Sequence, residues 1–452
     1  MKRYGIVLGA GMGTRMNSDV PKVLHEIMGK TMIEHVVNAL EDANVEHIVV
    51  VTGYKAFLVE AKLQDRVNYA LQIEQLGTAH AVEMARKLMS QSEGTTIVTY
   101  GDGPLLTAKT LEKLFASHEN SDAKLTMLTV EAKDPTGYGR IIRDASDKVV
   151  RIVEQKDATQ KQRLITEINP GVACYDNKTL FEALLKVKND NKQKEYYLTD
   201  LVEIMTNEGH KIEAVKSKDF EETIGVNDRI QLADAGRIMR GRINKKHMEN
   251  GVTLIDPKAT YIEADVIIEA DVIIEPNVYL KGYTVIKTGA IIGMGSNLVN
   301  AKIGKGVQIQ ASFISDSKIS DDVTVGPYAH IRNHAAIGSK SRIGNFVEIK
   351  KANLGEGVKA AHLSYMGDAE IASRVNMSCG AITANYDGKK KHKTIIGEEA
   401  MIGSNVNLIA PVEIGAGAYI AAGSTVNNDV PAHALAIARS KQVNKEGYAK
   451  KL

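Results

Sequence analysis

The chain has 452 residues, 44% of them apolar, enough for two or three domains with cores of their own. A balance of 57 basic against 55 acidic side chains, net +2, argues against a polyanion-binding surface and so against nucleic acid as a partner. Two widely separated cysteines, Cys174 and Cys379, exclude a disulfide framework and fit a reducing, cytoplasmic setting, and no apolar run reaches the length of a membrane span.

The first predicted element is a buried strand, Tyr4 to Leu8, running into the glycine-rich LGAGMGTRM. The run from Tyr4 to Thr14 follows Lys2-Arg3 as the core of a signal peptide would. Glycines crowd it, however, and no small-x-small cleavage site follows, so export is not expected. Glycine loops after strands commonly hold phosphate, but two familiar versions fail here. The third glycine of GxGxxG would fall on Thr14 or Met16, and no GxxxxGK[ST] is present. What remains is a loop whose amides can approach an anion, with the cations Arg15 and, past Pro21, Lys22 beside it. That is the outline of a nucleoside triphosphate site; the competing reading is a tight turn.

To about residue 226, β-branched strands alternate with helical patterns: HIVVVTG from His47, TTIVTYGD from Thr95 followed by the helical TAKTLEKLFASH, and KLTMLTVEA from Lys124. The alternation predicts a mostly parallel sheet with helices on both faces and ligands at the carboxyl ends of its strands. From Asp228 to Glu249, Ile230, Ala233, Ile238 and Ile243 predict one long linking helix. After Gly251 the period becomes six. Aliphatic residues fall every sixth place from Ile262 to Leu298, from Val325 to Ile349 and from Ile396 to Val426, the hexapeptide repeat of a parallel β-helix. The rhythm breaks between Ile349 and Ile396, where HLSYMGD and ANYDGKKKHKT are expected to project from the coil and carry function.

The Gly loop ending in GTRM, the YGD after a strand and the hexapeptide solenoid together resemble the bacterial family of bifunctional N-acetylglucosamine-1-phosphate uridyltransferases/glucosamine-1-phosphate acetyltransferases, over essentially the whole chain. The resemblance implies an α/β nucleotide-sugar pyrophosphorylase domain, Rossmann-like and mostly parallel, at residues 1–227. A linker helix at 228–249 and a left-handed parallel β-helix acetyltransferase domain with a C-terminal tail at 250–452 would follow. The tail domain would move acetyl from acetyl-CoA to glucosamine-1-phosphate, and the first domain would join the product to UTP with magnesium. The implied nucleotide-sugar contacts are Leu8, Gly9, Ala10, Gly11, Arg15, Lys22, Gln72, Gly77, Thr78, Tyr100, Gly101, Asp102, Gly139, Glu154, Asn169 and Asn227. Arg15 and Lys22 would act on the triphosphate, Gln72, Gly77 and Thr78 would read the base, and Asp102 and Asn227 would hold magnesium.

In the second domain His362 would be the general base, with Glu348 orienting it. Arg332, Lys350, Tyr365 and Asn376 would bind the sugar phosphate, and Cys379, Asn385, Tyr386, Ser404, Ala422 and Arg439 the acetyl-CoA. Family members of this kind pair solenoid faces about a threefold axis, so a homotrimer is implied, with small molecules as the other partners. The sequence departs from the family at Gly9, Met12, Gly103, Ser378 and Ala381; Met12 would cost a phosphate contact and Gly103 would loosen Asp102. A single-activity nucleotidyltransferase or a regulatory scaffold with an inert β-helix remains the alternative.

Overall fold

A computed structural model describes all 452 residues. They form two compact units, Met1–Met239 and Arg240–Leu452, and the division falls inside one 21-residue helix, Arg229–Glu249.

The first unit is built on a ten-stranded sheet. Strands Asn68–Leu71, His47–Thr52, Arg3–Leu8 and Thr95–Tyr100 lie side by side, all parallel. Leu8 pairs with Val51 on one side and Tyr100 on the other, so the loops beginning at Gly9, Gly53 and Gly101 leave the sheet at one level. Ile6 and Val7 enter different hydrophobic clusters, because successive side chains of a strand covered on both faces are both buried. Beyond Thr95–Tyr100 the sheet is mixed: Ile212–Ser217 pairs parallel with Leu125–Glu131, and the other pairings are antiparallel. Ala173–Asp176 runs against both Thr95–Tyr100 and Leu125–Glu131, and Gly139–Arg143 pairs with Val149–Val153 as a hairpin. Of these pairs only the hairpin has a short connection, the kind that antiparallel neighbours permit; Ala173–Asp176 returns to its partners from far along the chain.

The linking helix is present, and its buried face agrees with the sequence expectation only in part. Ile230 is 77% exposed and Ala233 also faces solvent. Of the four expected residues Ile238 is buried and Ile243 half-buried, and Ala235 joins Ile238 beside Ile27, Met32, Leu105 and Val226. In a helix charged on most sides, four apolar residues do not fix which face is buried.

The second unit is a parallel β-helix whose three sheets hold 11, 10 and 9 short strands. Every aliphatic of the three six-residue series is buried, each stacked on its counterpart a coil away, such as Ile274 on Ile292 and Leu280 on Leu298. Each is worth ~1.5–3 kcal/mol of burial. Between Leu298 and Val325 the inward residues are Ile303, Ile309, Ile314 and Ile319, so some corners there are one residue shorter.

The same slippage corrects the reading after Ile349. The stack runs on through Leu354, Ala360, Met366, Ile371, Met377 and Thr383, all buried. HLSYMGD therefore lies within the coil, in strands Lys359–His362 and Tyr365–Gly367, rather than projecting from it. The rhythm looked broken because corners shorten and Ala, Met and Thr take the place of Ile. Only the loop from Asn385 to Lys393 leaves the coil.

Candidate functional site

In the first unit the Gly loop closes tightly on the segment that follows it. Gly13 has φ +66°, and a Cβ there would lie 2.5 Å from that of Lys22, so only glycine lets the two segments meet. The contact aims Lys22 inward. Its Nζ donates to Asp102 Oδ2 in an ion pair and to Asn227 Oδ1 at 3.1 Å. Arg15 Nη2 donates to the same Asn227 oxygen at 2.9 Å. The Asp102 carbonyl accepts from Val226 N at 2.9 Å, and Asn227 N donates to Gln231 Oε1 at 2.7 Å, which fixes the backbone of both residues. Asp102 is thus pinned despite Gly103, where a Cβ would meet nothing closer than 3.8 Å.

Magnesium binds hard oxygens and takes its remaining ligands from water and phosphate. The Lys22 ammonium already lies between Asp102 Oδ2 and Asn227 Oδ1, so this oxygen pair draws a cation, and its donor set fits that metal.

Two cavities meet at Asp102 and Tyr100. One, of about 330 Å³, is lined by Leu8, Gly9, Ala10, Gly11, Lys22, Gln72, Gly77 and Thr78. The other, of about 260 Å³, is lined by Gly139, Glu154, Asn169 and Asn227. Gly101 joins them through its backbone, donating to Leu8 O at 2.9 Å. All the expected residues of this unit except Arg15 and Gly101 therefore line one cavity or the other. Burial pushes the Glu154 carboxyl up, and Thr199 Oγ1 donates to it at 3.1 Å. A buried carboxylate of this kind is suited to accepting from sugar hydroxyls. Burial likewise raises the Tyr100 phenol, which stays protonated. Gln75, absent from the sequence expectation, also lines the first cavity and donates to Ala10 O at 2.8 Å.

In the β-helix the expected residues sort onto two edges. One face carries strands Arg342–Asn345, Lys359–His362, Asn376–Met377 and Met401–Ile402; the next carries His330–Arg332, Glu348–Lys350, Tyr365–Gly367 and Ile382–Ala384. His362, Cys379, Ser404 and Ala422 lie on the edge between these faces, where Asn405 N donates to Cys379 O at 2.8 Å and Gly423 N to Ser404 O at 2.8 Å. The side chain of Arg439 reaches the same edge beside Gly423.

Arg332, Lys350, Asn385 and Tyr386 gather at the far edge of the second face, with Arg332 in register with Lys350. Tyr365 begins the strand between the two edges. Asn376 stands apart on the first face and donates to Ser378 Oγ at 3.0 Å, a bond that the Ser378 departure itself provides. Asn385 and Tyr386 are thus separated from the other acetyl-CoA candidates by the width of a face.

His362 Nδ1 lies 2.8 Å from Asn345 Oδ1. An amide oxygen only accepts, so Nδ1 carries a hydrogen, and the lone pair of the neutral ring belongs to Nε2. Glu348, expected to orient this histidine, is instead paired with Arg332, whose Nε donates to it at 3.0 Å. Asn345 precedes His362 by one coil and could have been found by counting back along the stack. Lys391 was also missed. It crowds Lys350 and, with Arg332 also near, pushes that ammonium down, as in a site that awaits an anion.

A sheet with a Gly loop and paired cations, followed by a hexad solenoid with an oriented histidine, defines a nucleotidyl transferase joined to a hexapeptide transferase. The chain matches the family described as nucleotidyl transferase over residues 4–236 and the bacterial transferase hexapeptide family over 316–351 and 393–428. It is 53% identical to the Bifunctional protein GlmU of Geobacillus sp. (strain WCH70), across 100% of this chain and 98% of that one. Identity to the proteins of the same name from Brevibacillus brevis and Listeria monocytogenes is 52%, across 100% of this chain and 98% and 99% of theirs. The chain belongs to the Bifunctional protein GlmU family and is a bifunctional uridyltransferase and acetyltransferase.

Proposed function

We propose that the β-helix moves acetyl from acetyl-CoA to glucosamine-1-phosphate and that the first unit joins the N-acetylated product to UTP, releasing pyrophosphate. The observation that carries this reading is the Lys22–Asp102–Asn227 cluster where two cavities meet, one for a nucleotide and one for a sugar phosphate. The sugar phosphate oxygen attacks the α-phosphorus of UTP, and pyrophosphate departs toward Arg15 and Lys22, which offset the charge that spreads over the phosphates. Asp102 and Asn227 would hold magnesium, which neutralises triphosphate charge when bound. With that charge in place, Lys22 would be free to meet the phosphates.

In the second unit Nε2 of His362 takes a proton from the sugar ammonium, and the freed amine attacks the thioester carbon. The C–S bond breaks, the imidazolium returns its proton to the CoA sulfur, and the proton left on the acylated nitrogen passes to solvent, giving amide, thiol and one H+. Arg332 and Lys350, with Lys391, receive the sugar phosphate. The acetyl-CoA candidates fall on two edges of one chain, and a closed homotrimer that brings the edge of one copy beside the other edge of the next would unite them. Free thiols at Cys174 and Cys379 accord with a cytoplasmic setting, and no helix is long and apolar enough to cross a membrane.

The test supplies UTP, glucosamine-1-phosphate, acetyl-CoA and magnesium, and follows thiol and pyrophosphate separately. Both should appear, with pyrophosphate dependent on acetyl-CoA unless N-acetylglucosamine-1-phosphate is added. Pyrophosphate without thiol would leave an inert tail. Sedimentation equilibrium of the full chain should give three copies; an active monomer would rule out the shared site.

A further inference from the structure

We infer that His80 sets the base preference of the first unit by fixing which way the Gln72 carboxamide points. The inference rests on the reading of the Gly-loop cavity as a UTP site. Gln72 is 4% exposed and lines that cavity, so its amide meets a base without water to substitute for a missing partner. Its Nε2 donates to Gly77 O at 3.2 Å and faces His80 Nδ1 at 3.0 Å.

Gly77 O can only accept, so the nitrogen end of the amide is turned toward it. The position of this carbonyl is itself fixed. Gly77 has φ +120°, a Cβ there would fall 2.4 Å from Tyr196 O, and the flanking backbone is tied down by Tyr196 N to Leu76 O at 2.8 Å and Ala79 N to Tyr196 O at 2.9 Å. His80, on the helix Thr78–Glu83 and off the cavity wall, accepts the second amide hydrogen through Nδ1, which places its own hydrogen on Nε2.

With both N–H groups engaged, only Gln72 Oε1 is left for the cavity. An acceptor at that place pairs with the ring N3–H of uracil and meets the N3 lone pair of cytosine with repulsion. Without His80 as acceptor the amide loses one of the two bonds that hold it, and a flip that presents Nε2 to the base becomes accessible. His80 is therefore a positioning residue that acts through Gln72.

The test uses full-length protein, with kcat/KM for UTP and for CTP read by pyrophosphate release and thiol release as the control for the other unit. His80→Leu removes the acceptor; His80→Asn restores an amide oxygen where Nδ1 stands. The wild type should prefer UTP. His80→Leu should lower the UTP/CTP ratio about tenfold, chiefly through KM, as for one neutral hydrogen bond, and His80→Asn should return it to within about threefold of wild type. A leucine variant that keeps the wild-type ratio, even at lower overall activity, overturns the inference, as does an asparagine variant that loses the ratio as the leucine one does. If the leucine variant misfolds by circular dichroism, His80→Ala is judged by the same two outcomes. A wild type that uses UTP and CTP equally would instead refute the uridylyl reading on which the inference rests.

Discussion

Replacing Asn345 by Ala should slow acetyl transfer about tenfold without touching uridylyl transfer. The side chain supplies the acceptor 2.8 Å from His362 Nδ1, on an exposed edge where this is the bond that orients the ring. Released, the imidazole samples two tautomers and two ring flips, and only one state in four presents the Nε2 lone pair as now. That costs roughly 0.8 kcal/mol, and the lost hydrogen bond adds about 0.5–1 kcal/mol at so exposed a site. The sum of about 1.5 kcal/mol is close to tenfold in rate. Thiol release at saturating acetyl-CoA and glucosamine-1-phosphate reads kcat directly, with His362→Ala, expected to lose ~10²- to 10⁴-fold, as the reference. Because Asn345 acts through the ring, adding Asn345→Ala to His362→Ala should cost nothing further. A further tenfold loss in the double variant, or an unchanged kcat in the single one, would refute the tautomer argument.

Asp102→Ala should lower pyrophosphate release by at least about 10²-fold and leave thiol release near normal, since the two clusters share no residue; equal loss of both in folded protein would contradict the two-site reading. Burial, with Glu203, Glu154 and Asp157 nearby, pushes the Asp200 carboxyl up to about 6. The folded state therefore holds this proton longer than the unfolded chain, so stability falls as pH rises from about 4 through 6 and stays reduced above. Asp200→Asn should remove that fall and gain about 1 kcal/mol at pH 7 after allowance for partial exposure, read from melting curves between pH 4 and 8; a variant that only parallels wild type refutes the assignment. Ile331→Ala, fully buried between Ile314 and Ile349, should cost ~2–5 kcal/mol in urea unfolding, whereas its exposed neighbour His330→Ala should stay within about 0.5 kcal/mol.

The local parts of both sites were legible in the sequence because the chain itself brings them together. Gly9 to Arg15 is one loop after one strand, and Tyr100 to Asp102 ends a neighbouring strand at the same level. Each is readable from the chemistry of a few adjacent residues. The hexads were legible for the same reason: inward side chains must be aliphatic, and the period declares them. What sequence could not supply was the far half of the sheet, whose mixed order depends on strands that return from far along the chain, and the full buried face of a helix with charges on most sides. The base-fixing pair of Gln72 and His80 stayed hidden too, since it needs the position of Gly77 O, set by Tyr196 far along the chain.

In the β-helix the limit was arithmetic rather than chemistry. A coil brings residue i beside the residue one turn later, and the turn varies: Ile274 meets Ile292 eighteen residues on, whereas Ile309 meets Val325 sixteen residues on. One dropped corner residue shifts which side chains share an edge, and a strict period of six loses count there. A strict count of eighteen back from His362 lands on Gly344, one place away from Asn345, which holds that register. The same register pairs Asp368 with Asn385, whose Nδ2 donates to it at 2.6 Å at the root of the projecting loop. A long-range contact in such a solenoid is therefore readable from sequence once every corner is counted, because each coil repeats the geometry of the last and only its length is free to change.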